Sequence, residues 1–261
     1  MLACIFEIYV RNIFEKQSHY TLSIRIILAL DLSVIAYEGD DVSPRRENPN
    51  KVRIRKAAFV LMYEQGFSQT SYSAIAQKAE VSRSLVQRHY PKKDELLALF
   101  FNRIIAASSA LLQERGKQAQ NPVLQALHLL QLYLQIIIYN DNMQLITRES
   151  LASRKILTML IKDHLDMIIA CIDRSGEQTE SEVFLAAIKA MGGMEALLLF
   201  ELNENVSVDA GDMSAQMIAA VRALATDVLY QKEYESLRGQ LLDPECVRRM
   251  AAEVLEEVLI P

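Results

Sequence analysis

The chain has 261 residues, of which 51% are hydrophobic and 23% are charged. This composition excludes a disordered chain, and the length is sufficient for one large domain or two modest ones. The formal net charge of −5 does not by itself favour a nucleic-acid partner. Eight glycines and six prolines are few for this length, which favours long helices over a turn-rich sheet protein.

Cysteine and histidine residues are few and scattered along the chain. The three cysteines form no CxxC pair, so we expect neither a disulfide framework nor a thiolate metal site, and we infer a cytoplasmic location. No two of the four histidines lie at metal-ligand spacing, so no metal site and no cofactor are expected. The sequence also lacks a nucleophile elbow, a phosphate-binding Gly-rich loop, an HExxH pair and a Rossmann fingerprint, which argues against an enzyme with catalytic residues.

Residues 1–44 are apolar, but charged residues interrupt every run. No run approaches the roughly 18 uncharged residues that span a bilayer, and the pattern of a secretory signal is missing. We therefore expect no membrane partner. The simplest explanation of residues 1–44 is an N-terminal extension that precedes the first domain, and a misassigned start is one way in which it could arise.

Residues 45–103 carry an excess of positive charge. They hold twelve Lys or Arg residues and five acidic residues, a formal charge of +7, so the rest of the chain must carry −12 to give the total of −5. A basic segment attached to an acidic body is typical of a DNA-binding domain joined to another domain.

Helical signals begin at Lys51, from which apolar residues repeat at helical spacing. Gly66 follows this run and predicts its end, because glycine accepts a left-handed backbone. A second helix is predicted over Tyr72–Ala79, with Thr70 or Ser71 as its N-cap.

A short turn at residues 80–81 leads to a third predicted helix, Arg83–Tyr90, for which Ser82 is a good N-cap. Pro91 ends this helix, and a fourth begins at Lys92. A helix, a short turn and a short capped helix form the helix-turn-helix layout, whose second member enters the DNA major groove.

The third predicted helix has an outer face suited to base edges. Arg83 can bind guanine and Gln87 can bind adenine, which are pairings that the major groove allows. Ser71, Tyr72 and Lys93 stand at helix starts, where hydroxyl, ammonium and backbone N–H groups suit phosphate oxygens. The residues predicted to contact DNA are Ser71, Tyr72, Ser82, Arg83, Ser84, Gln87, Arg88, His89 and Lys93.

The same region closely resembles the DNA-binding domain of tetracycline-repressor (TetR) family regulators. The resemblance rests on the paired alanines 57–58, the run GFSQTSYSAIA at 66–76, AEVS at 79–82 and HYPKKDEL at 89–96. It implies an all-α fold, in which an N-terminal three-helix helix-turn-helix domain joins a helical ligand-binding and dimerisation domain. It also implies a transcriptional regulator, in our interpretation a ligand-responsive repressor, that binds double-stranded palindromic operator DNA as a homodimer.

Three positions depart from the family pattern. Glu80 occupies the turn position where the family usually has glycine, and Ser84 stands where a second glycine is common. Gln87 replaces a tyrosine that commonly contacts phosphate. These departures leave a second function open: a helical protein-interaction module or co-activator that keeps the fold without reading an operator.

Beyond residue 103 the sequence predicts only helices. Ser181–Leu202 and Ser214–Tyr230 are apolar on more than one side, which favours a partner surface, and the resemblance places the dimer bundle there. Gly192 and Gly193 inside the first of them predict a close helix approach. Other helix starts are predicted at Asn121-Pro122, at Asn140–Asn142, at Ser153 (running to Cys171), at the capping box Thr179-x-x-Glu182 and at Asp243-Pro244.

The middle helices are the expected place for a sensor pocket, and their methionines favour a small, largely apolar effector that is still unidentified. The candidate lining residues are His128, Tyr133, Met143, Arg148, Met159, His164 and Met167. The predicted segments are the extension 1–44, the helix-turn-helix domain 45–103, the sensor and dimerisation domain 104–231, and additional C-terminal helices at 232–261.

Overall fold

The structure, a computed structural model, describes residues 48–117, 119, 121–153, 156, 179–204, 209–225 and 229–260. The extension 1–44 lies outside the described residues, as does nearly all of the helix predicted from Ser153 to Cys171. All regular structure in the described ranges is helical, as the sequence predicts.

Ten helices are described. They are α1 (Pro49–Gln69), α2 (Tyr72–Lys78), α3 (Arg83–His89), α4 (Lys93–Glu114), α5 (Pro122–Tyr139), α6 (Asp141–Ala152), α7 (Glu180–Glu204), α8 (Ala210–Ala225), α9 (Tyr230–Arg238) and α10 (Pro244–Leu259).

Helices α1, α2 and α3 form a small three-helix unit around side chains that the helical spacing predicts to be inside. Four of these side chains are fully buried: Ile54, Met62, Ile75 and Val86. Tyr90, which directly follows α3, is also buried. These apolar side chains pack together, so the unit has a core despite its size.

Local capping fixes where these short helices begin. The Ser71 hydroxyl accepts a hydrogen bond from the Ala74 N–H at 3.1 Å, so Ser71 rather than Thr70 is the cap of α2. The Ser82 hydroxyl accepts one from the Leu85 N–H at 3.2 Å, as predicted. Each cap satisfies a backbone donor that the first helical turn leaves without a partner.

Outside the three-helix unit, helices α4 and α5 contribute many of the buried apolar side chains. Both are long and apolar enough to cross a membrane by length and composition, but 61% and 56% of their apolar windows are buried within the chain. Helix α10 packs against both of them. Their apolar composition is therefore explained by the core they build.

Residues 182–204 of α7 form a third window of this kind, but only 33% of it is buried. Leu197 and Phe200 on this helix are 46% and 56% exposed. The close approach predicted at Gly192 and Gly193 is not made by the described part of the chain, since nothing lies within 4 Å of a Cβ built on either glycine. Helix α7 thus keeps an apolar face with no described cover.

The sequence predicts one helix through Tyr230 with an apolar side left for a partner, and the structure differs. Helix α8 ends at Ala225, and a separate helix, α9, begins at Tyr230. Helix α8 packs against α5, α7 and α9, and of its large apolar side chains Leu224 is the exposed one. The several apolar sides of α8 are therefore satisfied largely within the chain.

Candidate DNA-binding site

Helix α3 presents one buried face and one exposed face. Val86 has no exposed surface and Tyr90 is 3% exposed. The helix packs against α2. Arg83 and Gln87 lie on the exposed face one helical turn apart. Ser84 and Arg88 are exposed beside them. The outer face that the sequence predicts is therefore brought together on one short helix.

The cations on this surface differ in their partners. No described hydrogen bond or ion pair engages the side chains of Arg83, Arg88 or Lys92 within the part of the chain that the structure covers. Elsewhere in the unit, the Arg53 guanidinium lies 2.9 Å from the Glu80 carboxylate and the Lys78 ammonium lies 3.5 Å from Glu64. Cations without a described partner thus lie on α3 and at its C-terminal end, where they can meet phosphate oxygens.

Other predicted contacts are partly committed to the fold. The Tyr72 hydroxyl donates a hydrogen bond to the Tyr90 carbonyl at 3.0 Å, so a phosphate would have to compete for that proton. Burial, together with the nearby Glu95 and Asp94 carboxylates, raises the pKa of Tyr72.

The serines and the histidine of the predicted site also have contacts within the chain. The hydroxyls of Ser82 and Ser84 lie 3.0 Å apart. The Ser71 hydroxyl caps α2, and the His89 ring is half-buried with Nε2 shielded from solvent.

The turn between α2 and α3 has an unusual backbone at Glu80. Its φ is +52°, and among the described residues it is the non-glycine residue with positive φ. A side chain at this conformation costs about 1–2 kcal/mol relative to the right-handed region. The turn therefore keeps the left-handed shape that glycine would adopt without strain, although the sequence departs from the family pattern here.

The rear of the unit, at residues 66–70, is held by charged groups from two other helices. Lys93, the first residue of α4, donates hydrogen bonds to the Phe67 carbonyl at 2.8 Å and the Thr70 carbonyl at 2.9 Å. Its ammonium also lies 4.2 Å from the centroid of the Phe67 ring. Two of its three N–H donors are thus used inside the protein, which leaves one for the phosphate contact that the sequence predicts.

Glu149 of α6 holds the same segment from the other side. One oxygen of its carboxylate accepts hydrogen bonds from the Phe67 N–H at 2.6 Å and the Ser68 N–H at 3.1 Å. Gly66 is next to this carboxylate and has a φ of +83°. A Cβ built on Gly66 would meet the Leu145 side chain at 3.0 Å and the Glu149 carboxylate at 3.2 Å. Helix α6 therefore binds the C-terminal end of α1 directly, just beyond the kink at Gly66.

Lys93 and Glu149 also influence one another electrostatically. Burial lowers the pKa of Lys93, and the charges of Glu149 and Asp94 oppose that shift. A second hydrogen bond joins α1 to the start of α6, where the Asn140 amide donates to the Tyr63 hydroxyl at 2.9 Å. No local pattern in the sequence marks Glu149 or Tyr63 as a contact residue.

The candidate sensor residues in the described ranges make separate contacts. The His128 Nε2 lies 2.9 Å from the Gln240 carbonyl, and the Arg148 guanidinium donates to the Leu202 carbonyl at 2.6 Å. Tyr133 is buried against Phe101, and burial raises the pKa of Tyr133. Met143 is fully buried. The remaining candidates lie outside the described residues: Met159, His164 and Met167.

Metal chemistry finds no support in the described ranges, where no cluster of three or more His, Cys, Asp or Glu side chains is placed to hold an ion.

Comparison with known proteins agrees with this geometry. Residues 54–99 match the family described as bacterial regulatory proteins, tetR family. No curated protein sequence matches the chain.

Three solved structures share the fold at low identity. RolR in complex with resorcinol is 17% identical, covering 74% of this chain and 95% of its own, with a TM-score of 0.54. A TetR transcriptional regulator from Rhodococcus sp. RHA1 is 17% identical, with coverages of 69% and 97% and a TM-score of 0.50. Thermus thermophilus FadR, a transcriptional repressor in complex with lauroyl-CoA, is 16% identical, with coverages of 66% and 92% and a TM-score of 0.50. The likeness therefore extends from the helix-turn-helix unit into the helical body.

Proposed function

Residues 54–99 belong to the TetR family of bacterial regulatory proteins, and on this premise we propose that the chain is a transcriptional regulator that reads operator DNA as a homodimer and responds to a small effector. The observation that carries the proposal is the outer face of α3. It combines Arg83, Gln87 and Arg88, all exposed, on a helix fixed by the buried Val86.

The exposed face has distinct groups for bases and for phosphates. We assign guanine to Arg83, in the first turn of α3, and adenine to Gln87, one turn later. Arg88 and Lys92 have no described ion-pair partners, and their proposed role is to neutralise phosphates. Base contacts specify the sequence, while phosphate contacts give affinity that falls as salt rises.

Dimer formation is the proposed role of the apolar face of α7. Gly192 and Gly193 are exposed with open space above them, and Leu197 and Phe200 follow one and two turns later on the same helix. Two glycines let a neighbouring helix approach closely, while the larger side chains supply the apolar area that such an interface buries. A second copy of the chain would place two α3 helices in successive major grooves, roughly 34–36 Å apart.

An effector is proposed to act through the contacts behind α3. Helix α6 belongs to the body, where His128, Tyr133, Met143 and Arg148 are the described candidates for contact with a ligand. A movement of α6 would move Glu149 and thereby the Phe67 and Ser68 amides that it binds. A movement of α4 would act on the same segment through Lys93. An effector changes DNA affinity this way if it binds the two positions of these helices unequally.

The effector that we propose is small and largely apolar. The buried side chains of α5 are mostly aliphatic, and α6 adds Met143 and Ile146. Two proteins with the same fold were solved with resorcinol and with lauroyl-CoA, which are ligands with apolar parts. Neither compound is assigned to this chain.

A protein-interaction module is the second candidate, favoured by the absence of glycine at positions 80 and 84 and of tyrosine at 87. The left-handed backbone at Glu80 weakens this alternative, because the turn keeps its shape at an energetic cost.

Selection of bound sequences from random double-stranded DNA tests the proposal, followed by titration at several salt concentrations. We expect an enriched palindrome whose half-site centres are separated by one helical turn of about 10–10.5 base pairs or by a multiple of it, and whose affinity falls steeply with salt. No enrichment from a folded dimer would contradict the regulator and favour the interaction module. Light scattering measures the mass of the chain in solution and tests the proposed dimer.

A further inference from the structure

A cavity of about 260 Å³ lies between the C-terminal end of α4 and helix α10, and none of its lining residues is a candidate sensor residue. Helix α4 ends in a turn in which Gly116 has φ +62° and the Lys117 N–H donates to the Leu112 carbonyl at 2.8 Å. This turn takes the chain out of the helix and leaves Lys117 beside α10. The residues that line the cavity are Arg115, Lys117, Cys246, Arg249, Met250 and Glu253.

The charges in this cavity are unbalanced. Three cationic side chains face one carboxylate, Glu253, which forms an ion pair with Arg115. Neither Lys117 nor Arg249 has an ion pair or side-chain hydrogen bond among the residues that the structure describes. A cluster of two uncompensated cations in a chain of net charge −5 attracts anions locally, since nearby charges outweigh a distant net charge.

We propose that this cavity binds a small anion that carries two or more phosphate charges. Lys117 and Arg249 supply the free cations, and Arg115 shares its guanidinium between Glu253 and the anion. One guanidinium group can donate two parallel hydrogen bonds to two oxygens of the same phosphate. The ammonium group of lysine adds a compact positive charge. Met250 is buried and provides an apolar floor against which the rest of a ligand can pack.

Operator DNA is an unsuitable occupant because of where the cavity lies. Helix α4 has 22 residues, so its two ends are about 33 Å apart. Its first residue, Lys93, contacts the segment behind α2 and α3, whereas Arg115 immediately follows its last. The site is therefore at the opposite end of α4 from the face that reads DNA.

The Glu253 carboxylate competes with a bound anion for the Arg115 guanidinium. An incoming phosphate must share Arg115 with this carboxylate, so the proposal predicts opposite effects for cation and carboxylate variants. Removing Lys117 and Arg249 weakens binding, and Glu253→Gln strengthens it. This opposition distinguishes a specific site from a general response to surface charge.

Inorganic pyrophosphate is the probe for the test, and the thiol of Cys246, a half-buried free cysteine that lines the cavity, is the reporter. The full chain is alkylated with neutral iodoacetamide at constant ionic strength, and peptide mass spectrometry follows Cys246 alone. We expect pyrophosphate to slow this alkylation saturably. The Lys117→Gln/Arg249→Gln double variant should need about tenfold more pyrophosphate, because each exposed contact contributes a factor of a few.

Arg248→Gln is the matched control, because Arg248 pairs with Glu245 one turn back on α10 and does not line the cavity. It should leave protection unchanged, while Glu253→Gln should lower the pyrophosphate needed. Thermal melts check that each variant is folded. Three results would overturn the proposal: no saturable protection, equal protection in the double variant, or equal protection by a random DNA duplex. None of these depends on operator reading, so the regulator proposal is tested separately.

Discussion

The front and the rear of the helix-turn-helix unit use their charged groups in different ways. On the front, Arg83 and Arg88 have no described partner in the chain. At the rear, the charges of Lys93 and Glu149 are bound to backbone groups of residues 67, 68 and 70. Free charges suit a partner outside the chain, and engaged charges fix geometry. We therefore propose that the front reads DNA and that the rear sets the position from which it reads.

The largest effect is expected from Gly66→Ala at the rear. The new Cβ has to accept φ +83° and meets Leu145 at 3.0 Å, so the free energy of unfolding should fall by about 3 kcal/mol. Chemical denaturation measures this change. Gly239→Ala is the matched control, because its Cβ has ordinary contacts of 3.6 Å or more and should change stability little. Equal losses in the two variants would mean that the segment at Gly66 is not tightly held.

At the front, Arg83→Ala should weaken binding to the selected operator by about 2 kcal/mol, near thirtyfold, because a two-pronged contact with guanine is lost. Stability should stay unchanged, since Arg83 is exposed. Fluorescence anisotropy titration measures the affinity. Lys92→Ala is the comparison variant: it should weaken all duplexes alike and reduce the slope of affinity against salt by about one. A uniform loss for Arg83→Ala as well would assign Arg83 to a phosphate instead of a base.

Glu149→Gln should cost about 1 kcal/mol of stability, because hydrogen bonds to a charged acceptor become neutral ones. The variant should also reduce the factor by which an effector changes operator affinity, since α6 then holds the Phe67 and Ser68 amides less firmly. Stability and operator titrations with and without effector measure the two effects. Glu256→Gln, on the exposed side of α10, is the control for charge alone. An unchanged effector response in a destabilised Glu149→Gln variant would confine Glu149 to a structural role.

The smallest effect is expected at the turn. Glu80→Gly should be more stable than Glu80→Ala by about 1 kcal/mol, because glycine has no penalty at φ +52°. Both variants remove the exposed contact with Arg53, so their difference isolates the backbone. Thermal unfolding of the two variants makes the comparison. An equal stability would show that the backbone at residue 80 is not held in the left-handed region.

The sequence predicts the front of this unit better than the rear. Caps at Ser71, Ser82, Asn140 and Asp243 are local signals, because each side chain binds an N–H three residues ahead, and the structure confirms them. Glu149 binds amides 81 and 82 residues away. Every sequence has backbone amides, so no residue pattern marks such a pair.

The body shows the same limit. Helix α8 is apolar on several sides, and hydrophobic periodicity alone cannot tell whether another copy or another segment covers them. The structure packs α9 against α8 and leaves the face of α7 exposed. The Gln131 amide, which exchanges two hydrogen bonds with the Leu242 backbone at 2.9 and 3.0 Å, is another contact between distant residues that no local pattern predicts.

The most direct test of the division between front and rear is a repeat of the DNA selection with three chains: the unchanged protein, Arg83→Ala and Glu149→Gln. The account predicts that Arg83→Ala loses preference at one base pair in each half-site, placed symmetrically, while Glu149→Gln enriches the same sequence as the unchanged protein. Enrichment of one identical palindrome by all three would contradict the claim that Arg83 on α3 reads the operator. A changed sequence for Glu149→Gln would contradict the assignment of the rear to positioning alone.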